Sequence, residues 1–199
     1  MNDASLVEQL RNKNFSASKI FFERYYGRML ALCRRYTETN TEALNALFEL
    51  YDPALNHILD TLSEPKENIW PVLETGLIKH LVEREKSKGL AFHVSNTVHP
   101  KAQNELNFDL FAQNERIDIR LANRETILLA LNQLSAAHRL VYNLCAIDCF
   151  SLEAVAELMD YSLETVRTNF EKSRFLLHKS IEQHLIGNRN VWSYKQKQY

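Results

Sequence analysis

Between Phe15 and Tyr36 the side chains Phe22, Tyr25, Tyr26, Met29, Cys33 and Tyr36 recur every three or four positions. An α-helix gathers such residues on one face, whereas a strand would scatter them over two. Leu44, Leu47, Phe48 and Tyr51 repeat the spacing, as do Leu55, Ile58, Leu59 and Leu62, then Trp70, Leu73, Leu77 and Leu81 toward Lys88. Only four Gly and four Pro punctuate 199 residues, too few for many strands joined by tight turns. The fold class expected is all-α. Asp52-Pro53 reads as an N-cap and first-turn proline, predicting a break or kink before Leu55, and Ser87-Lys88-Gly89 reads as a stop.

From Gly89 to about Arg120 the periodicity fades, and Ser95-Asn96-Thr97 and His99-Pro100 supply loop chemistry. So long a structureless stretch is uncommon inside one compact domain. The organisation expected is therefore a helical domain over 1–88, a linker over 89–120, a second helical domain over 121–185 and a polar tail over 186–199.

Composition excludes wholesale disorder, since 45% of residues are hydrophobic and 25% charged. No run of about 18 apolar residues is present, so no membrane span is expected. The cysteines Cys33, Cys145 and Cys149 are odd in number and no secretory signal opens the chain, which points to the reducing cytoplasm. The net charge of −1 conceals two basic segments. Residues 11–35 hold seven Lys or Arg against one Glu, net +6, and residues 163–199 hold seven against three Glu, net +4. Helix faces with this bias can meet phosphates, although a solvated basic face gives the same pattern.

Residues 136–185 read as three helices joined by very short turns. Leu140, Val141, Leu144, Cys145 and Ile147 give the first an apolar face. Ser151 can cap a second helix, Leu152 to Met159, that buries Val155, Ala156 and Leu158. After Asp160-Tyr161, Ser162 can cap a third whose Leu163, Val166, Phe170, Leu177 and Ile181 face inward. Glu164, Thr165, Arg167, Thr168, Glu171, Lys172 and Arg174 then face outward. A short helix, a tight turn and a longer polar helix form a helix-turn-helix, whose second helix fits the DNA major groove. The candidate DNA-binding residues are Ser162, Glu164, Thr165, Arg167, Thr168, Lys172 and Arg174.

In Leu131-Asn-Gln-Leu134, His138-Arg-Leu-Val-Tyr-Asn-Leu144, Ser151-Leu-Glu-Ala-Val-Ala-Glu-Leu-Met159 and Ser162-Leu-Glu-Thr-Val-Arg167 through Arg174-Phe-Leu-Leu-His178, the chain resembles region 4 of the extracytoplasmic-function sigma factors. The aromatic, basic stretch Phe21-Phe-Glu-Arg-Tyr-Tyr26 to Arg35, with Glu42-Ala-Leu-Asn-Ala-Leu-Phe48 and Trp70, resembles a divergent region 2. The resemblance implies a sigma factor that directs RNA polymerase core to promoter DNA. Region 4 would bind the polymerase flap and the minus-thirty-five element, and region 2 the clamp and the minus-ten element. It names Phe22, Tyr26, Arg34, Leu44, Leu47 and Phe48 as candidate polymerase-binding residues and an anti-sigma factor as a further partner.

Other chemistry has less support. Cys145, Cys149 and His138 could line one face, but zinc sites normally draw clustered ligands from two short segments, so no metal or cofactor is expected. No glycine-rich phosphate loop, nucleophile elbow or His-Glu-x-x-His motif occurs, and no catalytic residues are assigned. The alternatives kept are a helix-turn-helix transcriptional regulator and a degenerate sigma-like protein acting through protein contacts. Exposure of the outer face of 163–179 favours DNA binding, and its occlusion by the first domain disfavours it.

Overall fold

Asn2 starts the first helix, α1 (Asp3–Arg11), by accepting the Ser5 N–H at 2.9 Å. This helix had no counterpart in the sequence-based expectation. Its Leu6, Val7 and Leu10 are buried. The computed structural model describes residues 1–62, 68–89 and 122–196, with side chains as far as 186. Apart from Gly89, the expected linker lies outside the described residues.

Helix α2 (Phe15–Tyr36) opens with Asn14 accepting the Ser16 N–H and carries Arg34 and Arg35 in its last turn, where the helix dipole favours cations. Thr39 caps α3 (Asn40–Thr61) by accepting the Glu42 N–H, while the Glu42 carboxylate reaches back to the Glu38 N–H. The expected break at Pro53 does not divide α3, which continues through it. An interior proline costs about 3 kcal/mol in lost bonding and ring clash. Continuing the helix keeps the fully buried Ala54 and Ile58 in line with Ala46, Leu47 and Leu50, and full burial of one isoleucine is worth about 1.5–3 kcal/mol. Helix α4 (Trp70–Ser87) has Pro71 in its first turn and lies along α3. The approach is close where Gly76 faces His57, since a Cβ there would sit 2.4 Å from the imidazole Cδ2.

The second unit comprises α5 (Arg124–Gln133), α6 (Ala136–Tyr142), a π turn (Asn143–Ile147), α7 (Leu152–Met159) and α8 (Leu163–Gln196). Helix α8 is its spine, packing against α5, α6 and α7. The stretch expected as a polar tail continues this helix as far as Gln196. The first of the three helices expected over 136–185 turns π-helical after Tyr142, so Ile147 is exposed instead of facing the core while Asn143 is fully buried. One apolar cluster runs from Phe21, Met29 and Leu81 of the first unit to Leu140, Leu144 and Val155 of the second. A smaller one, Ala130, Leu131, Leu134, Leu177 and Ile181, holds α5 to α8. The described residues are all-α.

Candidate nucleic-acid interface

The helix-turn-helix of α7 and α8 is built by three local devices. Ser151 caps α7 by accepting the Ala154 N–H at 3.1 Å. Asp160 ends it in the left-handed conformation, φ 58°, which short polar side chains tolerate better than most, and the Tyr161 N–H returns to the Ala156 carbonyl. Ser162 then accepts the Thr165 N–H at 3.1 Å and starts α8. Val166, fully buried, fastens α8 in the same apolar cluster as Val155, Ala156 and Met159. Short caps and the buried Val166 thus orient the first turns of the long helix, and Leu177 and Ile181 hold it further along.

That orientation leaves the predicted reading face open. Ser162, Glu164, Arg167, Thr168, Lys172 and Arg174 are exposed and Thr165 is half-buried. Leu177 and Ile181 are buried as expected, Phe170 is half-buried and Leu163 is 37% exposed, while Ser173, not expected inside, is fully buried and donates to the Phe170 carbonyl. Helical spacing places Arg167 and Arg174 on one stripe with Glu164 and Glu171, and Thr165, Thr168 and Lys172 on the next. Arg174 is held by both carboxylate oxygens of Glu171 at 3.2 Å and lies against the Phe170 ring. Among the described residues Arg167 and Lys172 form no ion pair, so these cations keep their charge available.

Lys172 stands on the rim of a groove of about 860 Å³ between α8, the start of α6 and the end of α4. Lys88, Lys172 and Lys179 line it together with Glu85 and His138. Burial, and then the neighbouring Lys172 charge, hold the His138 imidazole below its ordinary pKa. Lys88 is engaged by the Glu42 and Glu85 carboxylates, leaving Lys172 and Lys179 as its cations without an ion pair among the described residues. Lys179 was not singled out from sequence, although it lies seven residues beyond Lys172 on the same stripe.

The six candidate polymerase-binding residues do not form one patch. Phe22 packs against Tyr26 at 5.1 Å, stacks on Phe48 at 6.5 Å and meets Tyr51 edge-on at 5.6 Å, measured between ring centres. Phe48 is 63% exposed and Phe15, in the first turn of α2, is 84% exposed. Leu44 is half-buried, whereas Leu47 is fully buried and belongs to the core. Arg34 is exposed, but it lies twelve residues from Phe22, about 18 Å along the helix axis. It lines a second groove with Arg28, Arg35 and Arg124, faced by Glu74 and Glu125, and Arg28 stacks over the Trp70 ring at 4.0 Å. Tyr51 is a further aromatic member that the sequence-based set lacks, although Phe48 and Tyr51 at i,i+3 carry a signal for it.

Among the described residues, no three His, Cys, Asp or Glu side chains gather to hold a metal, and no helix is long and apolar enough to cross a membrane. Cys33 is buried, its thiol pushed up to about 12 by burial; Cys145 is half-buried and Cys149 exposed.

No family model matches the chain, and no curated protein matches it. Among solved structures it is similar to the sigma factor RpoE of Bartonella quintana, co-crystallised with the anti-sigma factor NepR. The two are 18% identical over 82% of this chain and 96% of that one, with a TM-score of 0.46.

Proposed function

We propose that this chain is a DNA-binding transcription initiation factor of the sigma type, directing RNA polymerase core to promoter DNA. The observation that carries the reading is the helix-turn-helix itself: α8 is anchored through Val166 and Leu177 while Arg167, Thr168, Lys172 and Arg174 stand exposed, uncovered by the first unit. Arg167, near the start of α8, is placed to donate to guanine in the major groove, with Ser162, Thr165 and Thr168 beside it. Lys172 and Arg174, further along, suit the phosphate backbone, and Lys179 extends that stripe. Glu164 and Glu171 limit the footprint by repelling phosphates. Phe22, Tyr26 and Phe48 present an aromatic face suited to a protein partner, assigned here to polymerase core. The two units are read as separate domains acting on these two partners in the cytoplasm, and an anti-sigma factor is a further partner.

Titration of the full chain on a preferred and a scrambled promoter at several salt concentrations tests this reading. Arg167→Ala is expected to weaken the preferred site by about 1–3 kcal/mol and relax sequence choice. Lys172→Ala is expected to weaken both sequences alike and to lower the salt slope by about one. Unchanged affinity and slope in both folded variants would refute α8 as the DNA reader. An ordinary helix-turn-helix regulator would behave identically on DNA, and capture of purified polymerase core separates the two, since only an initiation factor retains it.

A further inference from the structure

The groove between α8, the start of α6 and the end of α4 is rich in hydrogen-bond donors over an apolar base. On α8, Lys172, Leu176, Lys179 and Gln183 recur every three or four positions, so one face of the helix supplies them all. Gln133, Ser135 and His138 line it from the α5 and α6 side, with the Nδ1 of His138 2.7 Å from the Ser135 hydroxyl. Ser180 donates to Oε1 of Gln133 at 2.5 Å, which leaves the amide nitrogen as the end of that side chain still able to donate. The buried Ala130, Leu134 and Ala137, with the half-buried Leu176, supply the apolar lining.

The charges in this groove do not cancel. The carboxylate that lines it, Glu85, is only 6% exposed and already holds Arg84 at 2.9 Å and Lys88 at 2.8 Å. Lys88 is bonded to Glu42 as well. Among the described residues Lys172 and Lys179 have no such partner, so the open part of the groove carries two uncompensated cations beside neutral donors. That combination attracts an anion. The two lysines are seven residues apart, about 10 Å along the helix axis. A chain of linked phosphates can meet both, whereas a single phosphate is short for that interval. The volume, about 860 Å³, lies within the range of small-molecule sites and exceeds what a phosphate chain fills. The space left over lies against Leu134 and Leu176 with the Gln133 and Gln183 amides beside it, which suits a flat ring with polar edges. A DNA duplex presents its phosphates on a convex surface, and this site is concave between three helices.

We infer that this groove binds a nucleoside oligophosphate, with its phosphate chain held between Lys172 and Lys179 and its base laid against Leu134 and Leu176. Lys172 also borders the DNA-reading face, so a bound nucleotide and the DNA backbone draw on the same charge and compete. The competition rests on the function proposed above, whereas the binding site can be tested on the protein alone.

The experiment titrates the full chain calorimetrically with ATP, GTP, inorganic tripolyphosphate and adenosine. At least one nucleotide is expected to saturate the protein at one to one and to bind about tenfold more tightly than tripolyphosphate or adenosine. Absence of saturable binding by both nucleotides overturns the proposal, and tripolyphosphate binding as tightly as either overturns the seat for the base. Lys172→Gln and Lys179→Gln, with helix content checked by circular dichroism, should each weaken the nucleotide about tenfold. If one of them loses its helix content, the other decides. Lys79→Gln, at an exposed lysine on α4 outside the groove, should stay within about twofold of the parent. Equal losses in all three variants mean diffuse attraction to surface charge and overturn the site. In a second arm, saturating nucleotide should weaken binding of the preferred promoter duplex about fivefold or more, and the duplex should weaken the nucleotide by the same factor. Unchanged DNA affinity with nucleotide bound overturns the competition. Failure of the parent to bind DNA at all refutes the proposed function, while the titrations without DNA still decide the groove.

Discussion

Replacing Asp3 is expected to destabilise the first unit far beyond what one carboxylate near a chain start normally contributes. Its Oδ2 accepts from the Tyr25 hydroxyl at 2.5 Å and from the Ile69 N–H at 3.1 Å, and its Oδ1 pairs with Nη1 of Arg24 at 2.6 Å. One side chain thus ties the start of α1 to the middle of α2 and the entry to α4. Tyr25 is 4% exposed and Ile69 fully buried, so Asp3→Ala leaves two buried donors without their acceptor, each costing about 1–3 kcal/mol. Arg24 is 35% exposed and still reaches the Met1 carbonyl, so its share is small. The sum, about 2–6 kcal/mol, is a large part of the stability of a typical domain.

The pH dependence supplies a second readout. Burial raises the Asp3 pKa, but hydrogen bonds from Tyr25, the Ile69 N–H and Arg24, with the Arg24 charge, outweigh it and leave the carboxyl below its ordinary value of 3.8. A depressed folded-state pKa means stability present above the unfolded value and lost as pH falls through the folded one. In urea titrations, the deficit of Asp3→Asn relative to the parent should therefore be constant from neutral pH down to about pH 5 and shrink below the unfolded value of about 3.9. A loss under about 1 kcal/mol for Asp3→Ala, or a deficit for Asp3→Asn that does not change between pH 5 and 2.5, would refute the reasoning.

Three further outcomes are expected. Gly76→Ala should lower stability by about 1–3 kcal/mol in thermal or urea melts, because its Cβ would sit 2.4 Å from His57 Cδ2 and 3.2 Å from His57 Cβ, forcing α3 and α4 apart. Arg139→Lys should cost about 2 kcal/mol by the same measurements, since an ammonium cannot reproduce the buried guanidinium fork that reaches the Leu131 carbonyl at 3.2 Å and the Leu134 carbonyl at 2.8 Å. Phe48→Ala should change stability by less than about 1 kcal/mol because the ring is 63% exposed, yet weaken capture of polymerase core about tenfold in a binding titration.

The readable parts of this fold were those decided within one or two helical turns. Ser151 and Ser162 cap the helices they were expected to cap, and the Val166 and Leu177 stripe separates core from exposed face as the periodicity required. Of the break or kink that Pro53 leads one to expect, the break is absent, because its cost is local while the compensation, Ala54 and Ile58 packed in the α3–α4 layer, is tertiary. Leu47 fits the apolar stripe of a docking surface as well as that of a core, and periodicity alone does not say which side of a helix meets solvent.

Asp148 was beyond local rules for a different reason. It lies 113 residues from Arg35 and 112 from Tyr36, and reaching both depends on the π turn at Asn143–Ile147. The apolar spacing of Leu140, Val141 and Leu144 fits an ordinary α-helix up to that point, so no hydrophobic signal marks the change. The informative residues were the polar ones: Asn143 within the apolar face, and Arg35 and Tyr36 together at the end of a basic helix. A polar side chain on a buried stripe must find a partner, which makes Asn143 evidence that another backbone approaches there. The partner is the Arg35 carbonyl, and the same approach brings Asp148 within reach of Arg35 and Tyr36. A polar contact between the two units was therefore signalled by a residue that breaks the helix pattern, while the pattern itself disclosed only the helices and their apolar faces.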